Sequence, residues 1–179
     1  MDDDELLDLL TSIEEQVPTE EKPGWFEREA SELDPGEFGR ASLLVAAGEH
    51  WQMRGAYDEA RRCFLLALED GGESRSDPIA NLLSVALDEG DESAVHEYDA
   101  ELRQLARHDA VSSSSCHLVA EAYEQHGHPR LALRWCNIPF THDEPEDDPI
   151  DHLLLMARRR VRAALGLAPD QLDQVVADR

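Results

Sequence analysis

The sequence predicts an all-α chain, a superhelical stack of about three antiparallel helix hairpins with flanking N-terminal helices and a C-terminal capping helix. Three observations predict it. No segment alternates apolar and polar residues with the period of two that a half-buried strand needs, whereas apolar residues recur at i, i+3, i+4 and i+7. Glycines that end one helical run and open the next stand at Gly55, Gly90 and Gly127, at intervals of 35 and 37 residues. Similar residues fill similar slots around each glycine, and a hairpin that cannot bury its own apolar face implies a stack.

Taken in order, Leu6, Leu10, Ile13 and Val17 share one face of a short helix over 3–17, whose acidic first turn complements the helix dipole. Pro18 and Pro23 flank a break over 19–24. A second short helix runs over 25–33 and stops at Asp34-Pro35-Gly36. Residues 1–36 are expected to form an acidic arm, either docked through Leu6, Leu10, Trp25 and Phe26 or partly free. From 37 to 179 the pattern is regular, with repeats at about 41–74, 77–110 and 113–140. Helices are expected over 38–54 and 57–69, the second stopped by Gly71-Gly72. Asp77 caps a helix that Pro78 opens and that runs to Glu89. Further helices cover 92–107, 112–126 with a serine cap, and 129–139. An acidic connector over 143–148 leads to a strong helix over 150–165, the expected cap. Its face of Ile150, Leu153, Leu154, Ala157, Val161 and Ala164 can seal the last hairpin, and a last turn or two ends near Ala177.

Before each hairpin glycine stand Leu44, Ala47, Gly48 and Trp51, then Ile79, Leu82, Leu83 and Ala86, then Cys116, Val119, Ala120 and Tyr123. After it come Ala60, Phe64 and Leu68, echoed by Ala94, Tyr98 and Leu102, and more loosely by Ala132, Trp135 and Cys136. Small residues let helices approach closely and the aromatic fills the gap. This pattern resembles the tetratricopeptide repeat (TPR) family, a superhelix of helix A–helix B hairpins, over roughly 100 of the 179 residues. The first repeat carries Gly48, Trp51, Gly55, Tyr57, Ala60, Phe64 and Ala67. The third carries Ala120, Tyr123, Gly127 and Ala132. The second, with Gly90, Ala94 and Tyr98, fits only with one residue dropped, and Gly72 stands where a proline normally closes the first repeat. The chain thus reads as a divergent, TPR-like member.

The resemblance implies a concave groove lined by helix A residues. The matching positions include Val45, Glu49, Gln52, Asn81, Ser84, Asp88, His117, Glu121 and Glu124. Some TPR proteins clamp a C-terminal carboxylate there with Lys, Arg and Asn. This set keeps Asn81 but has no basic residue, so it is expected to repel acidic chaperone tails and to accept a basic or neutral peptide or helix.

The net charge of −24, from 40 acidic and 16 basic residues, disfavours nucleic acid and anionic lipid. A single lysine, Lys22, against fifteen arginines suggests the codon bias of a high-GC bacterium, or salt adaptation. Cys63, Cys116 and Cys136 are isolated and read as free thiols in a reducing compartment. The acidic start is unlike a signal peptide and no apolar run is long enough for a membrane span, so a cytoplasmic location is expected. Arg158, Arg159, Arg160 and Arg162 form the only basic cluster, which suits the helix dipole and reads as a structural cap or solvated face, or else as a contact to an acidic partner or a second copy.

Chemistry finds little purchase. His126 and His128 flank Gly127, with Glu124, Cys136 and His142 nearby, but such turn histidines are more often ordinary polar residues than metal ligands. Residues 143–148 lack the alternation and central glycine of a calcium loop. The serines at 112–115 lack a nucleophile elbow, and no glycine-rich phosphate loop precedes a helix. The expectation is a protein–protein interaction module, an adaptor or scaffold without catalysis, cofactor or metal. A self-associating regulatory or assembly subunit, acting as a homodimer, is the alternative, and a metal-dependent enzyme a remote one.

Overall fold

The structure is a computed structural model that describes residues 1–108, 110–141 and 148–177, with side chains through residue 174. Among the described residues there are ten helices and no strand. The chain divides into two compact units, Met1–Val85 and Ala86–Arg179, and no described helix is long and apolar enough to cross a membrane.

The first unit begins with α1 (Asp3–Gln16), started by a capping box in which Asp2 and Glu5 satisfy each other's backbone N–H groups. The second helix, α2 (Lys22–Ser31), starts three residues before the expected Trp25. Pro23 lies in its first turn, where a proline costs no hydrogen bond, so it opens the helix instead of breaking the chain. These two helices join α3 (Arg40–Met53) and α4 (Tyr57–Asp70). The arm is docked: Leu6, Ile13 and Phe26 are buried. Glu14 of α1 receives Lys22 Nζ at 2.5 Å and lies 2.6 Å from His50 Nε2. Leu10 is only half-buried and Trp25 stays exposed beneath the Arg28 guanidinium. On α2, Glu27 accepts both Trp51 Nε1 of α3 and Arg62 of α4, each at 2.7 Å.

The α3–α4 hairpin is packed through its smallest residue. Gly48 is buried beneath the Phe64 ring, and a Cβ there would lie 2.4 Å from Phe64 Cε1. Ala60, Cys63, Phe64 and Ala67 are buried, Tyr57 and Trp51 half-buried. Leu68, expected in the same core stripe, is 41% exposed, because α4 turns Ala60, Cys63, Phe64 and Ala67 inward. The fifth helix, α5 (Pro78–Glu89), is started by Asp77, whose carboxylate accepts the Ile79 N–H at 2.8 Å. Every residue from Pro78 to Leu87 is buried, as a helix apolar all round requires.

The second unit holds α6 (Glu92–Ala106), α7 (Ser113–Gln125), α8 (Pro129–Asn137), α9 (Pro149–Ala164) and α10 (Gln171–Ala177). Asp91 caps α6, Ser112 caps α7 and Asp148 caps α9. The rest of the acidic connector, 143–147, and His142 lie outside the described residues. Helix α9 packs on both α7 and α8. Its buried face is Asp151, Leu154, Leu155, Ala157, Arg158 and Val161. Leu153 and Ala164, expected to seal the last hairpin, are exposed, since the inward stripe is rotated by about one residue.

The glycine turns share one geometry. Gly55, Gly90, Gly127 and Gly166 have φ of +72°, +71°, +77° and +69°. After each, the next N–H reaches back five residues: Ala56 to Trp51, Asp91 to Ala86, His128 to Tyr123 and Leu167 to Arg162, at 2.8–3.0 Å. This is the Schellman closure, which needs a left-handed residue and satisfies a helix-end carbonyl.

Candidate functional site

The groove set expected from helix A positions divides between the units. In the first, Val45, Asn81 and Ser84 are buried, so they serve packing instead of lining an open groove. The reason is local: α5 is enclosed on every face, and Val45 lies on the inward side of α3. Asn81 donates to Ser76 Oγ at 2.7 Å, while its own Oδ1 is buried with no partner. Gln52 donates to Ser84 Oγ at 2.8 Å. Glu49 is half-buried, and burial pushes its carboxyl above the ordinary value.

In the second unit, the remaining acids are largely compensated. Asp88 lies 3.3 Å from His126 Nε2. Glu121 lies 3.7 Å from His117. Glu124 takes a two-pronged grip from Arg160, with contacts of 2.6 and 2.9 Å; that hydrogen bond above all raises the arginine's pKa.

The arginine cluster on α9 is likewise engaged. Arg158 is buried, binding Asp170 at 2.6 and 2.9 Å, Asp173 at 3.0 Å and Asn137 at 2.7 Å. The Arg158 hydrogen bond is the largest cause holding Asp170 down at about 2. Arg162 donates to Asp173 at 2.9 Å. Arg158 and Arg162 therefore tie α8 and α10 to α9, a structural role, while Arg159 and Arg160 stay exposed. Only Arg159 has no partner among the described residues.

One concave feature was not foreseen. A cleft of about 610 Å³ in the second unit lies against the end of α5, one face of α6, the end of α7 and the start of α8. Its α6 wall presents Glu92, Val95, His96, Asp99 and Arg103, which recur at helical spacing. Tyr123, His126, His128, Leu131 and Arg134 come from the α7–α8 hairpin, and Leu87 from α5. Asp99 is buried and organises one end. It accepts Arg134 Nη2 at 2.9 and 3.2 Å and Trp135 Nε1 at 3.1 Å, and Arg103 Nε lies 2.8 Å away. Burial, and then the Asp99 charge and hydrogen bond, push the Tyr123 hydroxyl well above its ordinary pKa. Helix A faces were the sequence's guide to a groove. The 96–99–103 and 131–134 spacings on the helix B positions were the signal that could have found this cleft.

The reactive groups are quiet. Cys63, Cys116 and Cys136 are buried and free, and burial pushes each thiol up to about 12, which leaves almost no thiolate at neutral pH. Among the described residues, no group of three or more His, Cys, Asp or Glu is arranged to hold a metal ion. No family model matches the chain, and no curated protein and no solved structure is detectably similar to it.

Proposed function

We propose that this chain is a divergent, TPR-like interaction module, an adaptor or scaffold that binds a peptide or helix of a protein partner and has no chemistry of its own. The observation that carries this reading is the recurrence of one hairpin turn. Gly55, Gly90 and Gly127 close with the same left-handed φ and the same backward hydrogen bond. Helical units repeated in this way stack into extended surfaces that recognise other chains. The exposed or half-exposed members of the groove set, Glu49, Gln52, Asp88, His117, Glu121 and Glu124, favour a basic or neutral segment over an acidic tail. The self-association alternative is less favoured, because Arg158, Arg160 and Arg162 already hold carboxylates of their own chain.

Affinity capture from the native cell lysate, comparing wild type with Glu49→Arg/Glu121→Arg, tests the proposal. A partner retained by wild type and lost by the folded double variant supports it. Identical captures by both forms, or a concentration-dependent dimer with no other partner, would count against it.

A further inference from the structure

We propose that the cleft of the second unit is a binding site for a small organic acid, a molecule with an apolar body and one carboxylate, held at its charged end by Arg103 and Arg134. This does not rest on the protein-partner reading and concerns a separate surface. The cleft volume of about 610 Å³ lies in the range of small-molecule sites, which are mostly apolar with a few convergent polar groups. Leu87, Val95, Leu131 and the Tyr123 ring supply the apolar part.

The charged end is built and incompletely satisfied. Two guanidiniums share the single Asp99 carboxylate. Arg103 uses its Nε on Asp99, and among the described residues its two terminal nitrogens have no acceptor. Arg134 uses Nη2 alone, and its Nε is buried without a partner. A buried orphan donor such as Arg134 Nε is costly, the terminal nitrogens of the part-exposed Arg103 are open to a ligand, and a carboxylate accepts from guanidinium donors in pairs. Asp99 is itself fixed by Trp135, so the arginines are pre-positioned.

Polarity along the cleft sets the orientation. Glu92 stands in the first turn of α6, and Arg103 lies eleven residues on, roughly 16 Å along the helix axis. Asp88, four residues before Glu92 in the chain, lies 3.3 Å from His126 of the lining. The carboxylate therefore belongs at the arginine end, with the apolar body running toward Val95 and Leu87. An amine in its place would meet two cations.

The test is a two-dimensional amide NMR titration of the full chain with straight-chain carboxylates of four to ten carbons, their primary amides and their amines. The expected result is saturable shifts confined to α6, the α7–α8 turn and the end of α5 for one or more carboxylates. The matching amide and amine bind at least tenfold more weakly. Arg103→Gln weakens the carboxylate at least tenfold. Val95→Trp, which fills the cleft and leaves the arginines untouched, abolishes binding while the spectrum elsewhere is retained, and it reads the site even if Arg103→Gln perturbs folding. Absence of saturable shifts with every carboxylate, equal binding of carboxylate and amide, or shifts outside the cleft would overturn the proposal.

Discussion

At Gly48 a single methyl group would decide the fit between two helices. Alanine in mid-helix ordinarily gains up to about 1 kcal/mol over glycine, but here its Cβ would lie 2.4 Å from a ring that is itself fully buried. Overpacking of this kind costs about 1–3 kcal/mol, so Gly48→Ala is expected to lower the urea midpoint, and Phe64→Leu in the same chain to restore part of the loss. Two other glycines separate conformation from space. Gly127 has room for a Cβ but sits at φ +77°, so Gly127→Ala should cost about 1–2 kcal/mol. Gly24 has room and an ordinary helical backbone within α2, so Gly24→Ala should gain about 0.5–1 kcal/mol, read in the same unfolding series. The buried thiols give a pH signature. Their folded pKa of about 12 lies above the ordinary 9.0. The stability they contribute is therefore present in full below pH 9 and is lost as pH rises toward 12. Tyr123 acts in the same direction. Urea midpoints measured from pH 8 to 11 should fall, and fall less steeply in Cys116→Ala.

Among the elements, α1 offers the clearest test, because its docking joins apolar burial to charge. Leu6 and Ile13 are buried, and Glu14 reaches both Lys22 and His50. Deleting residues 1–18 is therefore expected to lower the thermal midpoint by more than a few degrees, since each kcal/mol lost from a unit of 60–100 residues shifts it by about 4–8 °C. An unchanged midpoint would mean that the arm is free. The same elements show what a sequence can carry. Local signals were legible: the glycine stops, the Asp77 and Ser112 caps, and the apolar slots of α3, α5 and α7 are properties of a few adjacent residues. The start of α2 was misread because Pro23 both breaks and opens helices, and only its position in the turn distinguishes the two. The inward stripe of α9 is rotated about one residue from the expected one because Arg158, polar by type, is buried through Asn137, Asp170 and Asp173. At the arginine end of the cleft, Arg134 and Asp99 are 35 residues apart, so the 96–99–103 and 131–134 spacings mark two helix faces without announcing that they meet.

For the whole molecule, the net charge of −24 is unevenly deployed. Most described arginines are spent on carboxylates of the chain itself, which leaves the excess of acid to the surface. Such a surface repels polyanions and steers cationic partners inward. The hairpins supply repeated helical faces and their turns are built alike, but what those faces recognise is a matter of side chains that no local rule constrains. The proposed role rests on the exposed and half-exposed groove positions, Glu49 and Gln52 of α3, Asp88 at the end of α5, and His117, Glu121 and Glu124 of α7. Hydrogen exchange of the full chain, alone and saturated with the partner recovered by affinity capture, tests that role most directly. The expected result is slowed exchange around the groove positions of α3 and α7 and at the end of α5, lost in Glu49→Arg/Glu121→Arg. Slowed exchange confined to α1 or α9, or unchanged in the double variant, would contradict it.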